Sequence, residues 1–247
     1  MWNNDRVHTP HTDAAAAVRY LFCSLLLGCS GSAALSDAST TDAPVARMAE
    51  YVGSGSTGPT AASSTISIPT AQAGDLIVVV ISTTNAAAQL PDPFLGANDY
   101  SKRVQAHADE SNCQKSVTLW SFGNVPEGTA GIRIENTGDS LYVAYGMIFT
   151  GLRSDAGGRL QPYGTATFPA GDIATAPAVS ASNGTVVVSA VVSCATIDAL
   201  SDANSFTEIG IIDGSSAAYA FPSTAGAYAA AWSQSTGTWA GVTVVFE

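Results

Sequence analysis

The chain has 247 residues, of which 46% are hydrophobic and only 12% are charged, and its formal net charge is −11. That length and apolar content allow a sizeable folded core. The 20 acidic residues against 9 basic ones argue against a nucleic-acid partner, because a surface that follows phosphates needs clustered lysine and arginine.

The most apolar stretch near the start is YLFCSLLLGCSGS, residues 20–32, which follows Arg19. Its apolar run is far shorter than the roughly 20 residues that a membrane-spanning helix needs. A basic residue, a short apolar run and then small residues are the layout of a secretory signal. The sequence therefore predicts export, with an ordinary buried strand or helix as the alternative interpretation.

Within that stretch, Leu26-Leu27-Gly28-Cys29 resembles the lipobox of bacterial lipoproteins. The resemblance implies cleavage before Cys29, acylation of that cysteine, and a protein held on a membrane outside the cytoplasm. Residues 1–29 are then a lipoprotein-type signal segment. Residues 30–45 are small and polar without apolar periodicity, which predicts a flexible linker.

Cys113 and Cys194 are the two cysteines that remain once Cys23 leaves with the signal and Cys29 takes lipid. In an oxidising compartment such a pair suggests a disulfide. The bond would close a loop of roughly 80 residues and contribute on the order of 4 kcal/mol. Two independent buried thiols are the alternative, because spacing along the chain does not show how close the Cα atoms lie.

From residue 46 onward the chain consists of short β-branched runs separated by turn residues. The run GDLIVVVIST, residues 74–83, is too short for a typical helix and predicts a strand. Asn183-Gly184 is one of several tight-turn signals between such runs. The pattern predicts an all-β protein, an antiparallel, jelly-roll-like β-sandwich over residues 46–247.

An internal repeat relates two parts of this region, because residues 129–149 align without a gap with residues 226–246. Phe149 then corresponds to Phe246. The repeat predicts two halves, 46–152 and 178–247. Since neither half can bury its apolar face alone, we expect the two strand sets to pack face to face around one core.

Other blocks follow in the same order in both halves. AGDLIVVVIS corresponds to SNGTVVVSAVVS, and LWSF corresponds to AYAF, which pairs Trp120 with Tyr219. GANDYSKRVQ corresponds to DANSFTEIGI, which pairs Tyr100 with Phe206. We expect these matched aromatic residues to belong to the core, since each of them buries a large area.

The stretches EYVGSGSTG, STISIPTAQAGDLIVVVIS, SVTLWSFGNVPEGTAGIRI and SLYVAYGMIFTGL resemble a widespread, poorly characterised group of bacterial secreted and phage-associated repeat β-sandwich proteins. The similarity covers about residues 47–247. It implies a jelly-roll-like fold and a role at a cell surface or in a virion, and it supplies no catalytic residue. The chain departs from the group in LPDPFLGANDY, where Tyr100 stands at a position that is often Trp.

His107 is the one histidine after Cys29, and it lies in a polar stretch that we predict to be a loop. A zinc site or a histidine-dependent triad usually needs further partners of the kind that this stretch lacks. The glycine-rich residues 53–58 lack the Gly-Lys-Ser/Thr ending of a phosphate-binding loop and predict a flexible strand connection. No metal and no cofactor is therefore predicted from these residues.

Paired carboxylates are the remaining catalytic option, since a glycosidase needs only two at a suitable separation. The acidic residues of two corresponding loop regions are the candidates: Asp92, Asp99, Asp109 and Glu110 in the first half, and Asp198, Asp202 and Asp213 in the second. Acidic loop residues more often keep a surface soluble. Some of them could instead bind calcium through oxygen ligands.

These observations together predict a non-catalytic, lipid-anchored β-sandwich at the cell surface that serves binding or adhesion. Glycan or another surface polymer is the ligand class that fold-level analogy favours. A virion structural protein, such as a tail or decoration component, is the second hypothesis. A polysaccharide-degrading enzyme is the third.

Overall fold

The computed structural model describes residues 48–84, 91–95, 98–99, 101–110, 113–123, 125–138, 140–152, 163–201 and 205–247. Cys29, the predicted signal and the predicted linker lie outside these ranges, as do Tyr100 and Asp202. Within them the protein is all-β, with no helix. Accordingly, this part of the chain contains no helix that is long and apolar enough to cross a bilayer.

Seventeen strands are formed by the described residues. In chain order they are β1 (Glu50–Thr60), β2 (Ser64–Ser67), β3 (Leu76–Thr83), β4 (Asp92–Leu95), β5 (Asn98–Asp99), β6 (Ser101–Glu110), β7 (Cys113–Phe122), β8 (Gly131–Glu135), β9 (Tyr142–Thr150), β10 (Tyr163–Thr175), β11 (Val179–Ala181), β12 (Val186–Ser193), β13 (Ile197–Leu200), β14 (Thr207–Ile212), β15 (Ser215–Ala220), β16 (Gly226–Tyr228) and β17 (Ala231–Phe246).

Two large antiparallel sheets have the same strand order. The first large sheet runs β1-β9-β3-β7-β6, and the second runs β10-β17-β12-β15-β14, with β13 also paired to β17. A smaller sheet belongs to each: β2-β8-β4-β5 is the first outer sheet and β11-β16 is the second. The predicted antiparallel β-sandwich is therefore confirmed. The two large sheets repeat each other in topology, whereas the outer sheets differ, with four described strands in the first and two in the second.

Three apolar cores separate four layers of sheet. The central core lies between the two large sheets and includes Val78 and Val188. A second core, with Val79, lies under the first outer sheet, and a third, with Val187, lies under the second. The expectation of one shared core was incomplete, because each half also buries the outward face of its large sheet under its own small sheet.

Burial on both faces explains the uninterrupted apolar run of β3. Every residue from Leu76 to Thr83 is buried, and alternate residues enter different cores, Leu76 the central one and Ile77 the one beneath the first outer sheet. A strand that is covered on both sides needs no polar face. β12 is buried along its whole length in the same way.

The strand ladders test the alignment between the halves residue by residue. Leu76 pairs with Phe149 in the first half, and Val186 pairs with Phe246 in the second, which confirms that the two phenylalanines correspond. The pairing of Trp120 with Tyr219 was wrong by one position.

The ladders show the correct register. Trp120 lies opposite Val79, and the equivalent residue of the second half is Ala218, opposite Ser189. Successive strand residues face opposite sides of a sheet, so a one-residue error exchanges the faces. Trp120 accordingly packs on the core of the first outer sheet, whereas Tyr219 enters the central core.

Two segments that were predicted as loops are strands. His107 lies within β6, which pairs with β7, and the glycine-rich residues 53–58 lie within β1, which pairs with β9. Glycine serves close packing in β1, because a Cβ at Gly55 would lie 1.9 Å from the carbonyl oxygen of Ser67. β6 and β1 are the edge strands of the first large sheet, and this position allows the polar sequence of β6 and the glycine-rich sequence of β1.

The second half also begins earlier in the structure than residue 178. β10 pairs with β17 along the edge of the second large sheet. Its sequence, YGTATFPAGDIAT, contains two glycines and a proline and lacks an apolar alternation. An edge strand tolerates such residues because one side of it needs no hydrogen-bonded neighbour.

Candidate binding groove

A groove of about 640 Å³ opens at one end of the two large sheets. Lys115 of β7 contributes from the first half. The second half contributes three segments: residues 194–197, which follow β12 and begin β13; residues 211, 213 and 214, around the turn after β14; and residues 235–237, within β17. The groove thus lies where the two halves meet.

The Asp213-Gly214 turn that connects β14 to β15 forms one wall. Ile212 pairs with Ser215, so the connection has two residues, and both have positive φ, 48° at Asp213 and 70° at Gly214. An Asp-Gly pair with this geometry is preferred in tight hairpins. A Cβ at Gly214 would lie 2.9 Å from the carbonyl oxygens of Ser193 and Ala195, so the turn packs tightly on the end of β12.

A disulfide between Cys113 and Cys194 joins the halves beside this turn. The sulfur atoms lie 2.00 Å apart and the Cα atoms 5.8 Å apart, which agrees with the bond that the sequence predicted. Cys113 begins β7 in the first large sheet, and Cys194 follows β12 in the second. The bond therefore links the two large sheets at the edge of the groove.

Lys115 supplies the positive charge of the groove. Its Nζ donates a hydrogen bond to the backbone carbonyl of Asp213, 3.1 Å away. Burial lowers the pKa of Lys115, and the nearby Asp213 carboxylate opposes that shift. The groove consequently combines a strong donor and a carboxylate acceptor at close range.

Hydroxyl and backbone groups from β17 and the segment after β12 form the opposite wall. The Thr196 backbone N–H donates to Ser235 Oγ at 3.1 Å, and the Ser235 N–H donates to the Thr196 carbonyl at 3.0 Å. The amide of Gln234 holds the bend of β17 by donating to the carbonyls of Gly171 and Gly237, at 2.7 and 2.9 Å. These bonds fix the shape of the wall before any ligand arrives.

Buried hydroxyl groups lie beneath the groove. Ser82 of β3 and Ser215 of β15 share a 2.6 Å hydrogen bond between the two large sheets, and Tyr145 donates to the Ser215 carbonyl at 2.9 Å. A cavity of about 10 Å³, also lined by Lys115 and Asp213, lies beside them. That volume is close to the minimum for one water molecule.

The predicted acidic candidates are not brought together in the described part of the groove. Asp213 lies in it, whereas Asp198 is exposed on β13. Four others lie in β4, β5 and β6, where the structure describes the strands and not these side chains: Asp92, Asp99, Asp109 and Glu110. Among the side chains that are described, no three His, Cys, Asp or Glu lie together as metal ligands would.

Lys115 was missed by the sequence interpretation, although a signal for it existed. Cys113 and Lys115 are two residues apart in one strand, so they share a face. A disulfide at Cys113 therefore places the ammonium group on the side of β7 that meets the second half. The sequence Asp213-Gly214 likewise indicated a tight hairpin turn.

Aromatic residues occupy the other end of the central core. Tyr51 stacks on Tyr219 with ring centroids 4.5 Å apart. Phe149 packs edge-on against Tyr219 at 5.6 Å, and Phe221 packs edge-on against Tyr219 at 5.5 Å. We call these four residues the aromatic end of the domain.

No family model, no curated protein and no solved structure matches this chain.

Proposed function

We propose that this protein is a non-catalytic binding module, anchored by lipid at Cys29 to the outside of a cell, whose groove binds a hydroxyl-rich surface polymer such as a glycan. The observation that carries the proposal is that the groove and the start of β1 lie at opposite ends of the domain. The first described residue, Met48, precedes β1, and Glu50 of β1 pairs with Thr150 at the end of β9.

The groove lies at the opposite end of the same strands. Tyr142, at the start of β9, pairs with Thr83, and Thr83 pairs with Ser116, the neighbour of Lys115. Eight residue steps of β9 separate Tyr142 from Thr150, a distance of about 26 Å. A domain held through its N-terminal end can therefore present the groove away from the anchor.

The disulfide supports an extracytoplasmic location. Disulfides persist in oxidising compartments and are rare in the cytosol. The bond between Cys113 and Cys194 is therefore consistent with export by the signal that residues 1–29 resemble.

The chemistry of the groove supports a polyhydroxylated ligand. Sugars offer adjacent hydroxyl groups that donate and accept hydrogen bonds, and Lys115, Asp213 and Ser235 offer the complementary groups on the two walls. Charged donors and acceptors form the stronger hydrogen bonds of such sites. The open shape of the groove suits a segment of polymer.

Metabolic labelling with radioactive palmitate in a bacterial host tests the anchor. We expect label on the wild-type protein and none on the Cys29→Ala variant, with the protein in the membrane fraction only when Cys29 is present. An unlabelled wild-type protein would contradict the anchor. Such a protein, if it also formed a symmetric oligomer, would instead favour the virion hypothesis.

An array of purified bacterial surface polysaccharides and neutral oligosaccharides tests the ligand class. We expect binding by the wild type and at least about tenfold weaker binding by Lys115→Gln, because a lost charged hydrogen bond costs about 1.5 to 3 kcal/mol. Arg133→Gln is the matched control, since Arg133 is exposed on the first outer sheet and pairs with Glu135 at 3.4 Å. Equal loss in both variants would contradict a role for the groove.

A further inference from the structure

The aromatic end exposes apolar surface at the point where the chain enters the domain. Phe221 is 39% exposed and Met48 is 77% exposed. Met48 lies beside the aromatic end, because its carbonyl oxygen is close to Gly151, which directly follows β9. Phe221 lies 6.3 Å from Phe149, which pairs with Tyr51 of β1.

The ring packing holds this apolar surface in a fixed shape. Phe149 is fully buried, and Tyr219 is 8% exposed, so the exposed Phe221 rests on a rigid base. Tyr51 is fixed in turn by a 2.6 Å hydrogen bond to Ser54 Oγ. Rigid aromatic residues lose little conformational entropy when they enter an interface.

The proposed lipid anchor brings a membrane close to this end of the domain. Residues 30–47 separate Cys29 from Met48, and the sequence predicts that most of them form a flexible linker. A flexible chain of 18 residues has a root-mean-square span of about 21 to 25 Å. Tethering at that distance raises the effective concentration of membrane at the aromatic end, so that even a weak contact becomes populated.

We propose that the aromatic end rests on the lipid surface, with Phe221 and Met48 in the interfacial layer and the groove directed outward. This inference rests on the proposed anchor at Cys29. Phenylalanine, like tryptophan and leucine, is an apolar residue with which interfacial segments enter the boundary between headgroups and acyl chains. Glu50 and Glu247 are exposed beside this end, so contact should be stronger on zwitterionic lipid than on anionic lipid.

Full-length acylated protein in phosphatidylcholine vesicles tests the contact. An environment-sensitive nitrobenzoxadiazole dye is attached through Met48→Cys, and quenching by phosphatidylcholine with brominated acyl chains is measured. We expect a blue-shifted emission that bromolipid quenches and that shifts back towards the red when anionic lipid is added. A dye with the emission and quenching of a fully hydrated probe would overturn the proposal.

Two further variants carry the same dye and separate the aromatic end from simple tethering. Phe221→Glu should lose the quenching, and Leu141→Glu should retain it, because Leu141 is 44% exposed and precedes Tyr142 at the groove end. Equal quenching in both variants would overturn the role of the aromatic end. A blue shift without bromolipid quenching, in protein that sediments as a dimer, would overturn it in favour of self-association.

Flotation of the vesicles distinguishes the two proposals. Protein that fails to float with vesicles shows that the anchor itself is absent. Protein that floats while its dye remains hydrated shows that the anchor is present and the lipid contact is not.

Discussion

The central core is closed differently at its two ends. At the groove end, the disulfide between Cys113 and Cys194 and the hydrogen bond between Ser82 and Ser215 connect the large sheets. At the aromatic end, aromatic rings fill the space between the large sheets, and Tyr51 stacks on Tyr219. One pair of sheets is therefore joined by directional bonds at one end and by apolar packing at the other.

This difference agrees with the proposed roles of the two ends. Hydroxyl groups and a partly buried lysine require fixed partners, because an unpaired polar group in the interior is costly. Aromatic packing requires only buried apolar area and complementary shape. At the edge of the core it leaves apolar surface exposed to solvent. The following substitutions test each end against the other, from the largest expected effect to the smallest.

Removal of the disulfide is expected to have the largest effect. Cys113→Ala combined with Cys194→Ala should lower the free energy of unfolding by about 4 kcal/mol, because the bond closes a loop with a sequence separation of 81 residues and restricts the unfolded chain. Denaturant titration measures the change. Reduced wild-type protein is the control, and its free energy of unfolding should fall by a similar amount. An unchanged denaturation midpoint in both proteins would contradict the prediction.

Gly214→Ala is expected to destabilise the groove wall by about 2 to 3 kcal/mol. The added methyl group would meet two obstacles, the positive φ of 70° and the nearby carbonyl oxygens of Ser193 and Ala195. Gly184→Ala is the matched control, because Gly184 has φ of 85° and no atom within 4 Å of an added Cβ. It should cost about 1 kcal/mol. Equal thermal shifts would mean that the hairpin does not pack as described.

Alkaline pH is expected to weaken the groove end through Tyr145. Burial raises the pKa of Tyr145 well above its ordinary value, and the side-chain hydroxyl of Ser215 offsets part of that shift. Because the folded state holds the proton to higher pH than the unfolded chain does, this stability is complete below pH of about 10. It falls above that pH by up to about 1.4 kcal/mol per unit.

The measurement is denaturant unfolding between pH 9 and pH 12, in wild type and in Tyr145→Phe. The variant loses the hydrogen bond at every pH, so it starts less stable, but its stability should decline less steeply above about pH 10. Parallel pH profiles for the two proteins would refute the assignment.

The stacked pair at the aromatic end is expected to give the smallest effect. A double-mutant cycle with Tyr51→Leu and Tyr219→Leu should show a coupling free energy of about 1 kcal/mol. Tyr51→Leu combined with Tyr228→Leu is the control, because Tyr228 belongs to β16 of the second outer sheet. Coupling in the control as large as in the stacked pair would contradict a direct contact.

Much of the fold was predictable from strand patterns and from the repeat. GDLIVVVIST predicted β3, and the gapless alignment predicted that Phe149 and Phe246 are equivalent, because long buried strands retain their apolar residues. Edge strands were harder to predict. β6 and β10 contain polar residues, glycine or proline, since one of their sides needs no partner, and so His107 appeared to lie in a loop.

The candidate groove was only partly predictable. The cysteine count suggested the disulfide, and Asp213 was one of seven acidic candidates for another kind of site. Nothing in the spacing indicated that Lys115 would reach the Asp213 carbonyl. That contact depends on how β7 of one half meets the turn after β14 of the other, 98 residues further along the chain. Such a distance is set by sheet packing and not by local pattern.

The sequence by itself determined the strand class, the twofold repeat and the correspondence of its long buried strands, because apolar β-branched runs and the turn residues between them are local features of residue order. The tertiary structure alone decided that each half carries its own outer sheet and that Trp120 and Tyr219 face different cores. It also decided that donors and acceptors collect at one end while aromatic rings collect at the other. These outcomes depend on contacts between distant segments, where one residue of register reverses a face.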